Sequence, residues 1–368
     1  MPPVERIPIT RPLMGAEEKA AVSAVLDSGR LHQGEKVAEF EDKFRAVSGT
    51  DHAVAAGSGT SALLLALHAL RLPAGSYVHT SPLTFVSTGS AVASTGLRLS
   101  LSDISLASYN LDDDHVERGL PESASAILPV HLYGLPSPMD GLLDIAARKG
   151  LRVLEDCAQA VGARYKGRPV GSMGDVGCFS FNTMKIVATG EGGMVTTNDG
   201  KLARAVRVAR DIGRKASAYE FEEVSGNFRM SEVEAAIGIE QLKKLAGSLE
   251  RRRENAAFYA ERLKGLKGAV LPMAPAGLDH VWYQYTLRVM DGRRDAMRAH
   301  LDNAGIETGV YYATALHQLG IFEGVRQGDL RRCEAACKEV LSIPVHPGVG
   351  DRERARVVEA VQAFAGKA

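Results

Sequence analysis

The chain has 368 residues, and its 44 lysines and arginines are balanced by 44 aspartates and glutamates. Because the formal net charge is zero, the sequence lacks the basic character of proteins that bind nucleic acid or an anionic membrane. The chain is longer than the ~250–300 residues at which a single hydrophobic core stops growing, so we expect a large domain and a second, smaller one.

The N-terminus and the cysteines indicate where the protein works. The first residues, MPPVERIPITRPLMG, have an acidic residue and prolines where a signal peptide needs a basic start and an apolar stretch. No run approaches the ~18 apolar residues of a membrane span, so we expect a cytoplasmic protein. Cys333 and Cys337 have helical spacing, but no second Cys or His pair with zinc-site spacing accompanies them. We therefore expect free thiols and no metal.

The first half of the chain alternates predicted helices and strands. In chain order these are two helices within residues 15–48 around the turn 29–34, a strand at 52–56, a helix at 62–70, a strand at 77–81, a helix ending at 96, strands at 98–101 and 124–131, a helix at 139–149 and a strand at 152–154. Apolar strands joined through helices form βαβ units. Their repetition predicts an α/β fold.

The turn between the strand at 52–56 and the following helix has the sequence GSGTS. Glycines and hydroxyls at such a turn form an anion site, because free N–H groups and the helix dipole point at the ligand. Simple capping of the helix by Ser58 or Thr60 would give the same pattern. We favour a phosphate site that includes Gly59 and Thr60.

A carboxylate and a lysine follow two later strands. Asp156 comes at the end of the buried strand at 152–154, and in open α/β sheets ligands bind outside the carboxyl ends of strands. Lys185 lies on a turn between two predicted strands, in a segment that ends with Gly190-Glu-Gly-Gly193. Such a lysine is usually an exposed loop residue. Together, however, the amine and the carboxylate are the two groups that pyridoxal phosphate (PLP) chemistry requires.

The second half of the chain predicts a long helical region and a smaller α+β unit. Ser231 and Glu234 have the spacing of a capping box at a helix start, which does not explain the nearby Asn227. The further predicted elements are a helical pattern at 246–266, a strand at 281–289, a helix at 294–304, a strand at 306–312 and a last helix at 352–364. We place the domains at residues 1–250, the large PLP-binding domain with its N-terminal arm, and 251–368, the small C-terminal domain.

Several motifs together resemble one family. They are Asp156-x-x-Gln159-Ala160, Gly171-Ser-Met-Gly-Asp175, Ser180-Phe181 with Lys185 four residues on, and Gly190-Glu-Gly-Gly193. The chain is similar to the DegT/DnrJ-type sugar aminotransferases, PLP enzymes of the aspartate aminotransferase fold (fold type I), from Ile7-Pro8 to Ser342-Ile-Pro-Val-His346. The resemblance implies a large domain with a mostly parallel, mixed sheet flanked by helices, and a homodimer with shared active sites.

The resemblance also implies the cofactor contacts. Lys185 would hold PLP as a Schiff base, Asp156 would pair with the protonated ring nitrogen, and Gln159 would contact the side of the 3-hydroxyl. Phe85 would stack on the ring. The full set of cofactor residues is Gly59, Thr60, Phe85, Asp156, Gln159, Ser180, Lys185 and, from the partner subunit, Asn227; of these, Gly59, Thr60, Ser180 and Asn227 would hold the phosphate.

The implied reaction transfers an amino group, usually from L-glutamate, to a keto sugar that is most often nucleotide-linked, in amino-sugar biosynthesis for an antibiotic or a polysaccharide. Asn182, Arg229, Tyr312 and His317 are the substrate residues that the resemblance suggests. The chain departs from many relatives at Asn182 and Tyr311, where histidine is common, so the preferred sugar is not carried over. Relatives that dehydrate sugars have histidine in place of the lysine, and Lys185 argues against that branch.

Three alternatives stay open at this point. In the first, the acceptor is a cyclitol ketone rather than a sugar. In the second, the fold supports another PLP reaction such as β-elimination or aldol cleavage, and in the third the chain is a regulator or scaffold without enzymatic activity. A spectral response to L-glutamate would separate an aminotransferase from a lyase or a scaffold.

Overall fold

The computed structural model describes residues 6–215 and 219–366. The parts of the two expected domains at residues 1–5, 216–218 and 367–368 lie outside these ranges. The helices are α1 (Ala16–Ser28), α2 (Glu35–Ser48), α3 (Gly59–Leu70), α4 (Val86–Ser94), α5 (Asp113–Gly119), α6 (Met139–Lys149), α7 (Gly200–Arg210), α8 (Glu232–Arg262), α9 (Arg294–Asn303), α10 (Arg331–Glu339) and α11 (Asp351–Ala365).

Fourteen strands lie in the same ranges. They are β1 (His52–Ala56), β2 (Tyr77–Thr80), β3 (Arg98–Leu101), β4 (Ala124–Leu128), β5 (Arg152–Asp156), β6 (Arg164–Tyr165), β7 (Arg168–Pro169), β8 (Val176–Ser180), β9 (Gly193–Thr197), β10 (Ala269–Val270), β11 (Leu278–Asp279), β12 (Tyr285–Val289), β13 (Arg326–Gln327) and β14 (Val340–Ile343).

Eight strands form one sheet in the order β1-β9-β8-β5-β4-β2-β3-β13. The pairs from β8 to β13 are parallel, and β9 runs antiparallel to both of its neighbours. Parallel neighbours need crossover connections, which helices such as α4 and α6 supply. The large, mostly parallel mixed sheet confirms the expected α/β class.

The sheet is buried on both faces. On one face α3 packs across β8, β9 and β1, and on the other α2 packs against β1 and α8. The second face has a cluster of aromatic rings, with Phe44 edge-on to Phe179 at 4.9 Å and to Phe181 at 5.3 Å between ring centroids. This packing fixes β8 and the chain that follows it, and therefore the start of the lysine loop.

The helix α8 connects this sheet to a second core. Ser231 accepts a hydrogen bond from the Glu234 N–H and donates its own N–H to the Glu234 carboxylate, which confirms the predicted capping box. Near its start, Ala235 packs in the core of the large sheet. Near its end, Tyr259 packs in a core formed with α9, α11 and the antiparallel sheet β10-β12-β14. The capping box at Ser231 and the helical pattern that was predicted from residue 246 thus belong to one continuous helix, which ends at Arg262.

The division at residue 250 stays a prediction. The helix α8 runs through that position without a break, and β13, which comes from the C-terminal part of the chain, pairs in parallel with β3 at the edge of the large sheet. The small sheet and its core nevertheless have the α+β composition expected of the C-terminal part.

The predicted strand at 306–312 is wrong. Its residues make single bridges on opposite sides, from Ile306 to Ile7 and from Gly309 to Ser342. Because no two successive residues pair with the same neighbour, a ladder does not form. The β-branched and aromatic residues of this segment pack as an irregular connection instead. The later elements α10, β13 and β14 were not predicted.

The predicted strand at 281–289 is half right, because β12 covers only its second part. The first part lies against another loop: the N–H groups of Val281 and Gln284 donate to the carbonyls of Gly134 and Tyr133 at 3.0 and 3.2 Å. These bonds replace a strand ladder and bring the segment to the edge of the cavity described below.

Two further expectations concern the cysteines and the membrane. All four cysteines are free and buried, as expected. Within residues 6–215 and 219–366, none of the helices combines the length and the apolar character that a bilayer crossing requires.

Candidate active site

A cavity of about 390 Å³ opens at the carboxyl ends of the central parallel strands. It brings together most of the residues that the sequence singled out. The predicted site residues in its lining are Gly59, Thr60, Phe85, Asp156, Gln159, Ser180, Asn182, Lys185 and Tyr312. Asn227, Arg229 and His317 are not part of this lining.

Lys185 lies in the loop between β8 and β9, as predicted. The base of the loop is closed where the Phe181 N–H donates to Gly192 at 2.9 Å and the Thr189 N–H donates to Phe181 at 2.8 Å. The Lys185 Nζ lies 5.1 Å from the centroid of the Tyr283 ring. The lysine is therefore presented to the cavity by a loop that its own backbone hydrogen bonds hold in shape.

Asp156 ends β5 with its carboxylate in the cavity wall. Its Oδ2 accepts a hydrogen bond from the Thr88 hydroxyl at 2.9 Å, and its Oδ1 accepts from the Ala158 N–H at 3.1 Å. Burial raises the pKa of this carboxyl, and the two donors and the Lys185 charge oppose that shift only in part. A cation placed against Asp156 would relieve the cost of burying its charge.

The neighbouring Glu155 points to the other side of β5, as the alternation of a strand requires. It is fully buried and accepts backbone N–H bonds from Gly171 at 2.9 Å, Met173 at 2.8 Å and Gly174 at 2.7 Å. Burial by itself raises the pKa of Glu155, but these bonds and the one from His131 outweigh it and lower the pKa. The glycine-rich motif at 171–174 thus wraps a carboxylate next to the site and holds the end of β5.

His131, Glu155 and Cys157 lie close enough together to suggest a metal site. The His131 Nδ1 accepts from the Ser137 N–H at 3.0 Å, so its Nε2 carries the proton that is donated to Glu155 at 3.0 Å. Both ring nitrogens are therefore used within the protein, and burial raises the pKa of the Cys157 thiol well above its ordinary value. This donor set is a structural support of the strand end.

The turn before α3 has the geometry of an anion site. Ser58 caps the helix by accepting a hydrogen bond from the Ser61 N–H at 3.0 Å. Gly59 and Thr60 are the first residues of the helix, so their N–H groups have no intrahelical acceptor. A Cβ on Gly59 would lie 2.6 Å from the Ser180 Cβ, which places the turn directly against the end of β8.

Gln159 connects two loops at the cavity wall. Its Oε1 accepts from the Tyr133 N–H at 2.8 Å, and its Nε2 donates to the Tyr312 hydroxyl at 3.1 Å. Burial raises the pKa of Tyr312, which keeps the phenol neutral. The Phe85 ring lies 6.1 Å from the Tyr312 ring and is 53% exposed, so one of its faces is accessible from the cavity side.

The three remaining predicted residues lie elsewhere. Asn227 is exposed, and its backbone forms a bridge with Asp211. Arg229 makes a short ion pair with that same Asp211. His317 has its Nε2 3.1 Å from Glu334 on α10. None of the three contributes to the cavity of its own chain.

Sequence reasoning missed several lining residues, among them Thr88, Glu191 and Tyr283, whereas Tyr311, noted above as a departure from many relatives, also lines the cavity. The spacing of Thr84 and Thr88 on one face of the predicted helix could have suggested a hydroxyl pair near the strand end, and their hydroxyls lie 2.9 Å apart. Tyr283 gave no local signal, because its position depends on how its loop lies against a distant one.

The residues present fit PLP in three respects. The cavity offers an amine at Lys185 for an aldehyde and a buried carboxylate at Asp156 for a protonated ring nitrogen. It also offers the helix N-terminus at Gly59 and Thr60, with the Ser180 hydroxyl beside it, for a phosphate. The wall near Phe85 is aromatic and suits a planar ring.

A large mixed α/β sheet with a lysine and a carboxylate meeting at its strand ends defines the class of fold type I aminotransferases. The chain belongs to the DegT/DnrJ/EryC1/StrS aminotransferase family, whose model matches residues 12–362. The expected family is thereby confirmed, together with its enzymatic class.

Individual relatives are similar over nearly their whole length. The chain is 37% identical to a UDP-N-acetyl-3-dehydro-alpha-D-glucosamine 3-aminotransferase of Acidithiobacillus ferrooxidans, covering 93% of the chain and 92% of the relative. It is 38% identical to the dTDP-3-amino-3,4,6-trideoxy-alpha-D-glucose transaminase of Streptomyces venezuelae, covering 95% and 92%. The solved structure of S. venezuelae DesV in complex with a ketimine intermediate is 37% identical, covers 98% of the chain and 99% of DesV, and superposes with a TM-score of 0.92.

Proposed function

We propose that this chain is a PLP-dependent aminotransferase that transfers an amino group from L-glutamate to a nucleotide-linked keto sugar. One observation carries the proposal: Lys185, Asp156 and the first residues of α3 line a single cavity. The names of the two curated relatives, one for a UDP-sugar and one for a dTDP-sugar, support the acceptor class.

Bound PLP supplies an electron sink through which an amino group and a proton are exchanged between carbon atoms. Lys185 would hold the cofactor covalently, and its free amine would serve as the base that moves the proton. Asp156 keeps the proton on the ring nitrogen, and the buried position of its carboxylate strengthens this interaction. Gln159 would contact the side of the 3-hydroxyl, and Phe85 would cover the ring.

The phosphate site draws on two subunits in this proposal. Gly59 and Thr60 donate their N–H groups and Ser180 its hydroxyl, while Asn227 comes from the partner subunit of a homodimer. Asn227 is exposed and is not among the residues that line the cavity of its own chain, which supports this role. Arg229, two residues further on, stays a prediction, because its guanidinium is paired with Asp211 of its own chain.

The sugar side of the proposal rests on fewer residues. Tyr312 lines the cavity and offers a phenol to a hydroxylated substrate, and Asn182 lines it beside Glu191. His317 has no support from the cavity lining and stays a prediction, as does the location in the cytoplasm.

The proposal is tested in two steps. Purified enzyme loaded with PLP is first mixed with L-glutamate alone, and its absorbance is followed. The amino form is then offered 3-keto and 4-keto sugars linked to dTDP, UDP or GDP, and a keto-cyclitol as the competing acceptor. We expect a spectral change with L-glutamate and its reversal by at least one nucleotide-linked ketone.

Lys185→Ala is the matched control, and it should show neither step. No response of the wild-type protein to L-glutamate or to other amino acids would support the regulator or lyase alternatives. Reversal by the keto-cyclitol alone would replace the sugar with a cyclitol.

A further inference from the structure

The cavity contains few charged side chains, and one of them has no role in the cofactor chemistry. Among the described residues of its lining, Lys185 is the basic side chain, and Asp156 and Glu191 are the two acidic ones. The cofactor chemistry above employs Lys185 and Asp156. Glu191 has no part in it.

Glu191 is held in place by one hydrogen bond to its side chain and one to its backbone. The Asn182 Nδ2 donates to its Oε1 at 2.8 Å, while the Asn182 Oδ1 accepts from the Met184 N–H at 3.2 Å. The Asn182 amide therefore has one orientation in which both of its ends are satisfied. The backbone of Glu191 is also fixed, because its carbonyl accepts a hydrogen bond from the Thr189 hydroxyl.

The second carboxylate oxygen of Glu191 is free to bind a ligand. Within the described ranges, Asn182 is the hydrogen-bond partner of this carboxylate, and the side chain is exposed at the cavity. A carboxylate only accepts hydrogen bonds. A hydroxyl group is a fitting donor, and an O–H bond to a charged oxygen is about twice as strong as one between neutral groups.

The two substrates of an aminotransferase of this kind share one cavity but differ in charge. A sugar ring presents hydroxyl donors near the reacting carbon, whereas L-glutamate presents two carboxylates. A fixed negative charge favours the first and repels the second. Glu191 is therefore expected to favour binding in the half-reaction with the sugar and not in the half-reaction with L-glutamate.

We propose that Glu191 is a specificity-determining residue that accepts a hydrogen bond from a hydroxyl of the keto-sugar acceptor, with Asn182 as its positioning residue. This inference rests on the proposed function and goes beyond it by naming the group that recognises the sugar. It assigns Asn182 an indirect role, through Glu191, rather than direct contact with the sugar.

The test compares the two half-reactions of Glu191→Gln. We expect kcat/KM for the keto sugar to fall by about tenfold or more, because a charge-assisted bond is lost. The rate of the reaction with L-glutamate alone should stay the same or rise. Calorimetric titration of dTDP-glucose and UDP-glucose, which have the hydroxyls but no ketone, should show weaker binding by a similar factor. Glu250→Gln, on the exposed face of α8, is the matched control and should change neither step.

Asn182→Ala should give a smaller loss in the same direction, because the carboxylate remains but is no longer oriented. The double variant should be no worse than Glu191→Gln alone, since the amide acts through the carboxylate. Equal slowing of both half-reactions, or an unchanged kcat/KM for the sugar, would overturn the inference. A wild-type enzyme that does not respond to L-glutamate at all would instead refute the proposed function.

Discussion

The hydroxyl of Thr88, in the first turn of α4, donates a 2.9 Å hydrogen bond to Oδ2 of Asp156 at the end of β5. Because Thr88 donates to the carboxylate, its oxygen accepts the proton of Thr84, 2.9 Å away. Two neighbouring hydroxyls, one in α4 and one just before it, thus support the charged form of a buried carboxylate on a neighbouring strand.

Thr88→Val should weaken the site without altering its shape. We expect the loss of one hydrogen bond to a charged group to reduce kcat/KM by roughly 10- to 100-fold, or about 1.5–3 kcal/mol. Steady-state kinetics with L-glutamate and the acceptor measure this loss. Thr95→Val is the control, because the Thr95 hydroxyl at the other end of α4 donates to the helix carbonyls of Ala91 and Val92. Equal losses in the two variants would contradict a specific role for Thr88.

The raised pKa of Asp156 predicts how the stability of the cofactor-free protein depends on pH. Burial raises this pKa above the ordinary 3.8, so the folded state binds the proton more tightly than the unfolded chain. Stability is therefore lost as the pH rises from about 4 through the raised value. Asp156→Asn lacks this titrating carboxyl. As the pH rises across that interval, the melting temperature of the variant should therefore increase relative to that of the wild type.

Addition of PLP should reverse the relative stability of the wild type and Asp156→Asn. With PLP bound, a cation at the ring nitrogen would favour the charged carboxylate, and the wild type should then be the more stable protein. Thermal unfolding between pH 4 and pH 8, with and without PLP, measures both effects. Parallel curves for the two cofactor-free proteins would show that burial of Asp156 carries no such cost.

Gly59→Ala tests the close approach between the turn before α3 and the end of β8. The added Cβ would lie 2.6 Å from the Ser180 Cβ, so one of the two segments has to move. We expect a loss of about 1–3 kcal/mol in the free energy of unfolding and weaker PLP binding. Urea unfolding and a PLP titration measure the two.

A second glycine serves as the control for this variant, and a second substitution is expected to rescue it. Gly247→Ala, within α8, adds a Cβ that meets no atom within 4 Å and should stabilise the protein by up to about 1 kcal/mol. Combining Gly59→Ala with Ser180→Gly removes the clash. The double variant should therefore lose less stability than the sum of the single ones. Simple additivity would mean that the two segments do not press on each other.

Features with a local cause were predictable from the sequence. The capping box of Ser231 and Glu234 depends on residues three apart, and the turn at Gly59 depends on a strand and a helix that adjoin in the chain. Lys185 and Asp156 could be placed because both follow apolar strands, and the carboxyl ends of parallel strands meet at one edge of a sheet.

Features that depend on distant contacts were not predictable. Tyr283 reaches Lys185 because its loop donates hydrogen bonds to the carbonyls of residues 133 and 134, and no periodic pattern encodes that contact. In the sequence, Glu191 is one residue of a glycine-rich motif, and its bond to Asn182 requires the loop to close on itself. The failed strand at 306–312 had the composition of a strand, but its bridges go to two different neighbours, at Ile7 and Ser342, so a ladder does not form.

The proposed sharing of sites between subunits has a direct test. Asn227 is exposed in its own chain, and among the described residues the hydrogen bond of its side chain is the one that its Oδ1 accepts from the Arg229 N–H at 3.4 Å. Nothing in its own cavity uses the amide, so its proposed ligand is the phosphate in the partner's site. If so, Lys185 of one subunit and Asn227 of the other belong to the same active site.

Lys185→Ala and Asn227→Ala protomers, mixed in equal amounts and allowed to form dimers again, should recover activity that neither parent has. Random pairing makes half of the dimers mixed, and each mixed dimer has one site with both lesions and one with neither, so about a quarter of all sites are intact. The assay is the amino transfer itself, with each homodimer treated identically as the control. Asn227→Ala alone must be strongly impaired for the comparison to hold. Recovery no greater than the sum of the two parents would show that Asn227 serves its own subunit.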